Sequence, residues 1–456
     1  MEPNRRRSAR VLVLVGAWLV PCVATAEEPV KIIAGPMFVP ADEHSIHLWL
    51  QTDRPAKLRF RNDWLVQTPH KVAAQSEEFR TSEAKGTSGI CSIRVNPGES
   101  YKIRIWEAYD TTKYRENRPP DLVETIIKAP PAMCLPGKLT IAFGSCSHQE
   151  RFDEHQPIWE VVARQKPDCF LFIGDNIYLP NKAGDFPKTR EEVLEFYCDT
   201  YDRQRRMPEL QPVLRSTMSF ALWDDHDYGP NNSDRTWKWK DVALEAFNLY
   251  FPGEYGLPDA PGCFHKFAWG DIDVFMLDDR TYRDPNDHPD RRTFLGERQL
   301  AWLKEGLAAS KATFKLVVAG NQMLSDTHPH ESWGIQFRPE RDALLDWLWE
   351  RKTGGVIFLA GDRHFAELVR KRDPKGRGPD LWELTSSPLA NEHYQDGPSF
   401  ANPERVASYA GGVNVGVLKF DTTAVPPRVE LNVLDVRGTA VIRQVVTTPP
   451  VNRPTR

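Results

Sequence analysis

The 456-residue chain is poor in the features that mark membrane proteins, disulfide scaffolds and nucleic-acid binders. Beyond the first 26 residues no apolar run approaches the roughly 20 residues that a membrane-spanning helix needs. Lysine and arginine, 59 together, fall short of aspartate and glutamate, 63, so at a formal charge of −4 there is no basic footprint for nucleic acid. Seven cysteines, none in Cys-x-x-Cys or zinc-finger spacing, exclude a disulfide-dense domain and a zinc finger. With 28 glycines and no self-similar period, collagen and repeat solenoids are excluded as well. The chain is rich instead in tryptophan, 14, and proline, 37, which suits an all-β or α/β enzyme with long, proline-braced loops.

Residues 1–26 read as a secretory signal peptide. Arg5, Arg6, Arg7 and Arg10 form a cationic start, Val11 to Val20 is uncharged and apolar, and Ala24-Thr25-Ala26 is a small-residue cleavage site. The consecutive arginines also permit a twin-arginine export route. The expected location is therefore the periplasm or the extracellular space, with no transmembrane segment left after cleavage. Cys91, Cys134, Cys146, Cys169, Cys198 and Cys263 remain in that oxidising compartment, where an unpaired thiol needs an explanation.

Two textures divide the remainder. From 28 to 130 short alternating runs such as Ser45 to Thr52, Lys57 to Phe60, Ile90 to Val95 and Tyr101 to Trp106 predict a small antiparallel β-sandwich of immunoglobulin or fibronectin type III character. The proline-rich segment Arg118 to Pro136 reads as a linker. From 137 to 447 the chain alternates fully apolar runs with amphipathic helices, the signature of an α/β layered domain. The predicted strands are Leu139 to Phe143, Cys169 to Ile173, Ser219 to Trp223, Ile272 to Leu277, Phe314 to Ala319 and Val356 to Ala360. Predicted helices include Ile158 to Lys166, Glu191 to Tyr201, Lys240 to Phe251, Gly296 to Ser310 and Glu340 to Arg351, and three closing strands lie within Val413 to Val446.

Each α/β strand ends in a chemically loaded segment: Gly144-Ser145-Cys146, Gly174-Asp175-Asn176-Ile177-Tyr178, Asp224-Asp225-His226-Asp227-Tyr228, Asp278-Asp279-Arg280, Gly320-Asn321-Gln322 and Gly361-Asp362-Arg363-His364. In open α/β sheets the carboxyl ends of the strands line the ligand crevice. Three carboxylates within Asp224-Asp225-His226-Asp227 repel one another unless a cation or several donors neutralise them. Oxygen donors, a thiolate and an imidazole at one rim suit a dinuclear site, one position favouring ferric iron or zinc and the other calcium, magnesium or manganese.

These segments, with Trp223 to Gly229, Leu277 to Arg283, Leu295 to Gln299 and Glu383-Leu384-Thr385-Ser386-Ser387-Pro388, resemble the alkaline phosphatase D family of metallophosphatases in order and spacing. The resemblance implies a four-layer αββα sandwich behind the β-sandwich, and a ferric ion beside one or two calcium ions. It implies Cys146 and Tyr178 as iron ligands, Asp175 as the bridging carboxylate, and Asp225, with Asp224 as the alternative, in place of the wider superfamily's metal-binding Asn. His226 becomes the imidazole facing phosphate, and Asp362, His364 and Asn321 take ligand positions. Arg280 becomes the clamp on a phosphoryl oxygen. The implied activity is hydrolysis of phosphomonoesters, and of phosphodiesters, by a metal-activated hydroxide. A phospholipase, a polymer-specific phosphodiesterase and a non-catalytic surface module are the rivals. His328 and His330 read as pocket borders, and Arg370 to Arg377 as a solvated basic loop.

Overall fold

The computed structural model describes residues 28–65, 75–83, 86–108, 120–152, 155–286, 292–326 and 332–450. The leader expected at 1–26, and His328 and His330, lie outside the described residues. Among the described residues no helix is long and apolar enough to cross a membrane.

Two large sheets lie at the centre. The first has nine strands in the order Ala440–Thr447, Arg428–Asp435, Asn414–Asp421, Lys138–Gly144, Cys169–Ile173, Met218–Leu222, Ile32–Pro40, Ser45–Thr52 and Ser88–Arg94. The second has seven, in the order His265–Trp269, Ile272–Met276, Phe314–Val318, Val356–Ala360, Leu381–Thr385, Ala366–Lys371 and Arg405–Tyr409. Each has a parallel centre with antiparallel edges: Lys138–Gly144, Cys169–Ile173 and Met218–Leu222 in one, and Ile272–Met276, Phe314–Val318 and Val356–Ala360 with Leu381–Thr385 in the other.

The alternation of side chains along a strand explains why these strands are apolar throughout. In the second sheet Val274, Met276, Leu316 and Val318 join the core shared with the first sheet. Their neighbours Phe275, Leu277 and Val317 join a separate cluster with Leu303 and Leu307 of helix Gly296–Ala309 and Leu344 and Leu348 of helix Arg338–Glu350. On the far side, helices Ile158–Gln165 and Gln211–Ser216 cover the first sheet, with Trp159 5.3 Å from Phe170. The architecture is α/β with two packed sheets and an N-terminal antiparallel β unit.

That N-terminal unit shares a sheet with the rest of the chain. Ile32–Pro40 runs parallel to Met218–Leu222, with Phe38 opposite Met218, so three N-terminal strands extend the nine-stranded sheet. A four-stranded sheet, Gln75–Arg80, Lys57–Trp64, Ser100–Glu107 and Val123–Lys128, packs over them, burying Leu58, Phe60, Ile103 and Ile105 in the same core as Ile46, Leu48 and Leu50. The linker reading of Arg118 to Pro136 is corrected here: Val123–Lys128 is a strand paired with Ser100–Glu107, its alternating residues overriding the flanking prolines. The basic segment is corrected at its start, because Arg370 and Lys371 close the strand Ala366–Lys371.

Candidate metal centre

The carboxyl ends of the central strands meet at a cleft of about 390 Å³ that includes His148, Asp175, Tyr178, Asp225, His226, Asp362, Arg363 and His364 in its lining. Sharp turns deliver these groups. Gly174 leaves its strand at φ 94°, and a Cβ there would stand 2.6 Å from the Asp224 Cβ, so no other residue fits the turn. Four candidate ligands adopt left-handed backbone: Cys146 at φ 61°, Asp175 at 48°, Asp362 at 64° and His364 at 52°. Such a conformation costs about 1–2 kcal/mol in a non-glycine residue, and its concentration at one cleft marks a functional constraint.

Two groups of ligand atoms form, each with all members within 4.8 Å of one another: Cys146, Asp175 and His364, and Asp175, Asp225 and His226. Asp175 belongs to both. Its Oδ2 lies 3.5 Å from the Cys146 Sγ and accepts from the Tyr178 hydroxyl at 3.1 Å, while its Oδ1 accepts the His226 amide at 3.2 Å. The Tyr178 hydroxyl also sits 3.1 Å from His364 Nε2, and its ring is stacked between His148, at 4.6 Å, and His226, at 4.4 Å. The Cys146 sulfur receives the Ser387 hydroxyl at 3.1 Å.

The electrostatics are those of a site short of positive charge. Burial, and then the Asp225, Asp227 and Asp362 carboxylates, push Asp175 well above the carboxylate range. Burial and Asp175 push the Cys146 thiol and the Tyr178 phenol up in the same way. Burial would also raise Asp225, but His226, Arg280 and the Asn232 amide, 2.6 Å from its Oδ2, hold it below the usual range. One carboxylate of the pair is thus ionised at the expense of the other. A cation removes the conflict, and the donor set fits two: thiol, phenol and imidazole on one side, carboxylate oxygens on the other, with Asp175 between them.

Asp224 and Asp225, adjacent in sequence, go to different places. Asp224, 1% exposed, accepts Arg280 Nε at 2.5 Å, a second contact from Arg280 Nη2, and Asn321 Nδ2 at 3.0 Å. The Arg280 guanidinium, 0% exposed, also donates to the Ser233 carbonyl at 3.2 Å. Two residues expected at the site are placed away from the cleft lining. Arg280 does not reach the cleft as a phosphoryl clamp, because Asp224 holds it in the interior. Asn321 lies outside the cleft lining, where its amide nitrogen donates to Asp224 and its oxygen accepts Arg283 Nη1 at 2.6 Å. Asp362 and His364 do reach the cleft, but only His364 enters a ligand group.

The residues that sequence reasoning passed over are His148 and Arg363. His148 stands two positions beyond Cys146 and stacks on Tyr178; burial and then Arg151 lower its pKa to about 4, leaving a neutral imidazole. Arg363 lies inside the Gly361-Asp362-Arg363-His364 motif, between two ligand candidates whose chemistry is the more conspicuous.

Residues 141–425 match the model of the PhoD-like phosphatase family, well over half of the chain. The chain belongs to that family. Among solved structures, that of PhoD superimposes with a TM-score of 0.70 at 16% identity, covering 92% of this chain and 88% of that one. The purple acid phosphatase PPD1 from yellow lupin (Lupinus luteus) seeds superimposes with a TM-score of 0.64 at 10% identity, covering 90% of this chain and 74% of that one. At these identities the likeness is one of fold. A search of the curated proteins finds no match.

Proposed function

We propose that the protein is an exported, metal-dependent phosphoric-ester hydrolase that cleaves phosphomonoesters and phosphodiesters. The observation that carries this reading is Asp175, shared by two ligand groups at the floor of an open cleft. Cys146, Tyr178 and His364 with Asp175 would hold a ferric ion, and Asp175 with Asp225 and Asp362 would hold calcium, which takes oxygen ligands. Zinc, manganese or magnesium are the substitutes. When bound, such a pair supplies Lewis-acid polarisation of the phosphoryl group and a water acidic enough to ionise near neutral pH.

The chain's own residues supply the rest. His226 is left by an all-oxygen calcium site to face the ester, where its imidazole can donate a proton to the departing alkoxide. The stack on Tyr178 fixes the plane of that ring. Asn231 and Asn391 offer amides at the cleft wall.

The test is hydrolysis of p-nitrophenyl phosphate and bis-p-nitrophenyl phosphate by protein purified from its export route, with elemental analysis of the same sample. Turnover of both esters supports the reading; turnover of neither by the fully metallated protein overturns it. Ferric iron bound to thiolate or phenolate gives a visible charge-transfer band. Cys146→Ser and Tyr178→Phe should each shift or abolish the band, and a colourless, iron-free, active enzyme would sink the iron assignment. A band and iron that survive both substitutions would move the site elsewhere.

A further inference from the structure

With Arg280 withdrawn into the interior, the cleft needs another group to hold the phosphoryl oxygens. We propose that Arg363 is the phosphoryl clamp, a role that rests on the phosphoester hydrolase reading. Its side chain lines the cleft beside His226, His364 and Asn391 and is 6% exposed. Its Nε is buried with no hydrogen-bond partner among the described residues. The nearest acid, Asp362, lies at 3.7 Å from Nη1, beyond hydrogen-bond distance, and the Phe365 ring backs the guanidinium at 5.8 Å.

A buried, charged donor left without an acceptor is costly, and native proteins keep such a group where a ligand completes it. An anion that presents two oxygens to the cleft could take Nε and a neighbouring Nη in the bidentate manner of guanidinium, which describes two non-bridging phosphoryl oxygens. The other guanidinium lining the cleft, Arg151, is exposed and already held by Glu392 at 2.9 Å. A diester carries two non-bridging oxygens and a monoester three, so both present the pair that Arg363 would hold, and Arg363 does not choose between them.

Arg363→Gln removes the charge and one arm of the fork, and Arg363→Lys keeps the charge but not the fork. The experiment measures kcat/KM on p-nitrophenyl phosphate and bis-p-nitrophenyl phosphate, bound metal by elemental analysis, and calorimetric binding of inorganic phosphate to each protein loaded with metal. Loss of one donor to a developing oxyanion is worth about 10²–10³ in rate. The expected result is that Arg363→Gln loses about 10²-fold on both esters and binds phosphate at least about 10-fold more weakly with its metal content intact, while Arg363→Lys recovers only part of each loss. If the Gln variant instead loses metal in proportion to activity and binds phosphate normally when reloaded, Arg363 acts only by holding Asp362, and the clamp is overturned. Unchanged kinetics in an active wild-type enzyme also overturn it while leaving the hydrolase reading intact. A wild-type protein that turns over neither ester yet loses phosphate binding on Arg363→Gln would keep the clamp and sink the hydrolase reading.

Discussion

Two acidic clusters stand side by side at the strand ends, built from the same residue type and neutralised in opposite ways. In one, Asp224 is met by Arg280 and Asn321, while Asp279 accepts the Asn321 amide at 2.8 Å and Asp278 accepts the Trp223 indole at 2.9 Å and the Cys263 amide at 3.0 Å. In the other, Asp175 and Asp225 sit with Cys146, Tyr178 and His364, and Asp175 meets its like-charged neighbours without a guanidinium of its own. The closed cluster carries its cation in the polypeptide. The open cluster is the candidate site for cations from outside. A count of carboxylates therefore does not distinguish a metal site from a structural lock; the position of the arginine does.

The largest expected effect breaks the open cluster. Asp175→Asn should lower kcat by about 10³-fold or more, because both ligand groups lose their shared member. It should also raise the unfolding midpoint of the chelated protein. Burial and neighbouring carboxylates raise the Asp175 pKa in the folded state, so its contribution to stability is full at low pH, declines as the pH rises above the ordinary carboxylate value, and is gone above the folded value. The amide removes the like charge altogether. A chelated Asp175→Asn protein that unfolds earlier than wild type at pH 8 would contradict the contrast between the clusters.

The next effect breaks the closed cluster. Asp224→Asn leaves the Arg280 charge buried and half-partnered, a change that costs about 3–5 kcal/mol in buried pairs. Chelation should not alter that cost, since no metal is involved, and urea denaturation with and without chelator measures it. Pairing it with Arg280→Gln should return part of the loss, as expected of residues in direct contact. Purely additive losses would mean that Asp224 and Arg280 do not form the unit described.

The contrast also shows what could be read from the residues alone. The strands were legible because burial on both faces makes them apolar runs, and each turn was legible because a glycine or a polar cluster ends the run. The Cys146 thiol, the Asp175 carboxylate, the Tyr178 phenol and the His364 imidazole, which the fold gathers around one cleft, stand at strand ends that were read that way. Asp224 and Asp225 could not be separated, since one residue along a tight turn reverses the side chain and no one-dimensional pattern records which carboxylate meets Arg280. Nor does the pattern separate Arg280 from Arg363: both stand directly after an aspartate at the end of an apolar strand, and only the fold shows that Arg280 is paired with buried Asp224 while Arg363 lines the cleft. Strand Ile32–Pro40 was missed because Gly35 and Pro36 interrupt its pattern, although its partner in the parallel pairing, Met218–Leu222, was recognised.

The smallest effect sharpens the closed side, through the acid that holds the loop next to Asn321. Glu383 is fully buried and accepts the Met323 amide at 2.6 Å, the Leu324 amide at 2.9 Å and the Ser325 amide at 3.3 Å. Burial outweighs those bonds and lifts its pKa from an ordinary 4.5 to about 7, with Glu367 adding to the rise. The folded protein then keeps a proton between pH 4.5 and 7 that the unfolded chain has released, so this group's contribution is full below pH 4.5 and declines through that window as pH rises. The decline amounts to at most about 3 kcal/mol at about 1.36 kcal/mol per pKa unit. Glu383→Gln imitates the protonated acid at every pH, so it should flatten the fall in unfolding midpoint between pH 4.5 and 7 and leave the metal content unchanged. The measurement is a set of urea titrations across that range on chelated protein, which keeps the open cluster's own metal dependence out of the slope. An unchanged slope would show that Glu383 stays ionised against its three amides, and that this loop is held by charge rather than by a buried acid.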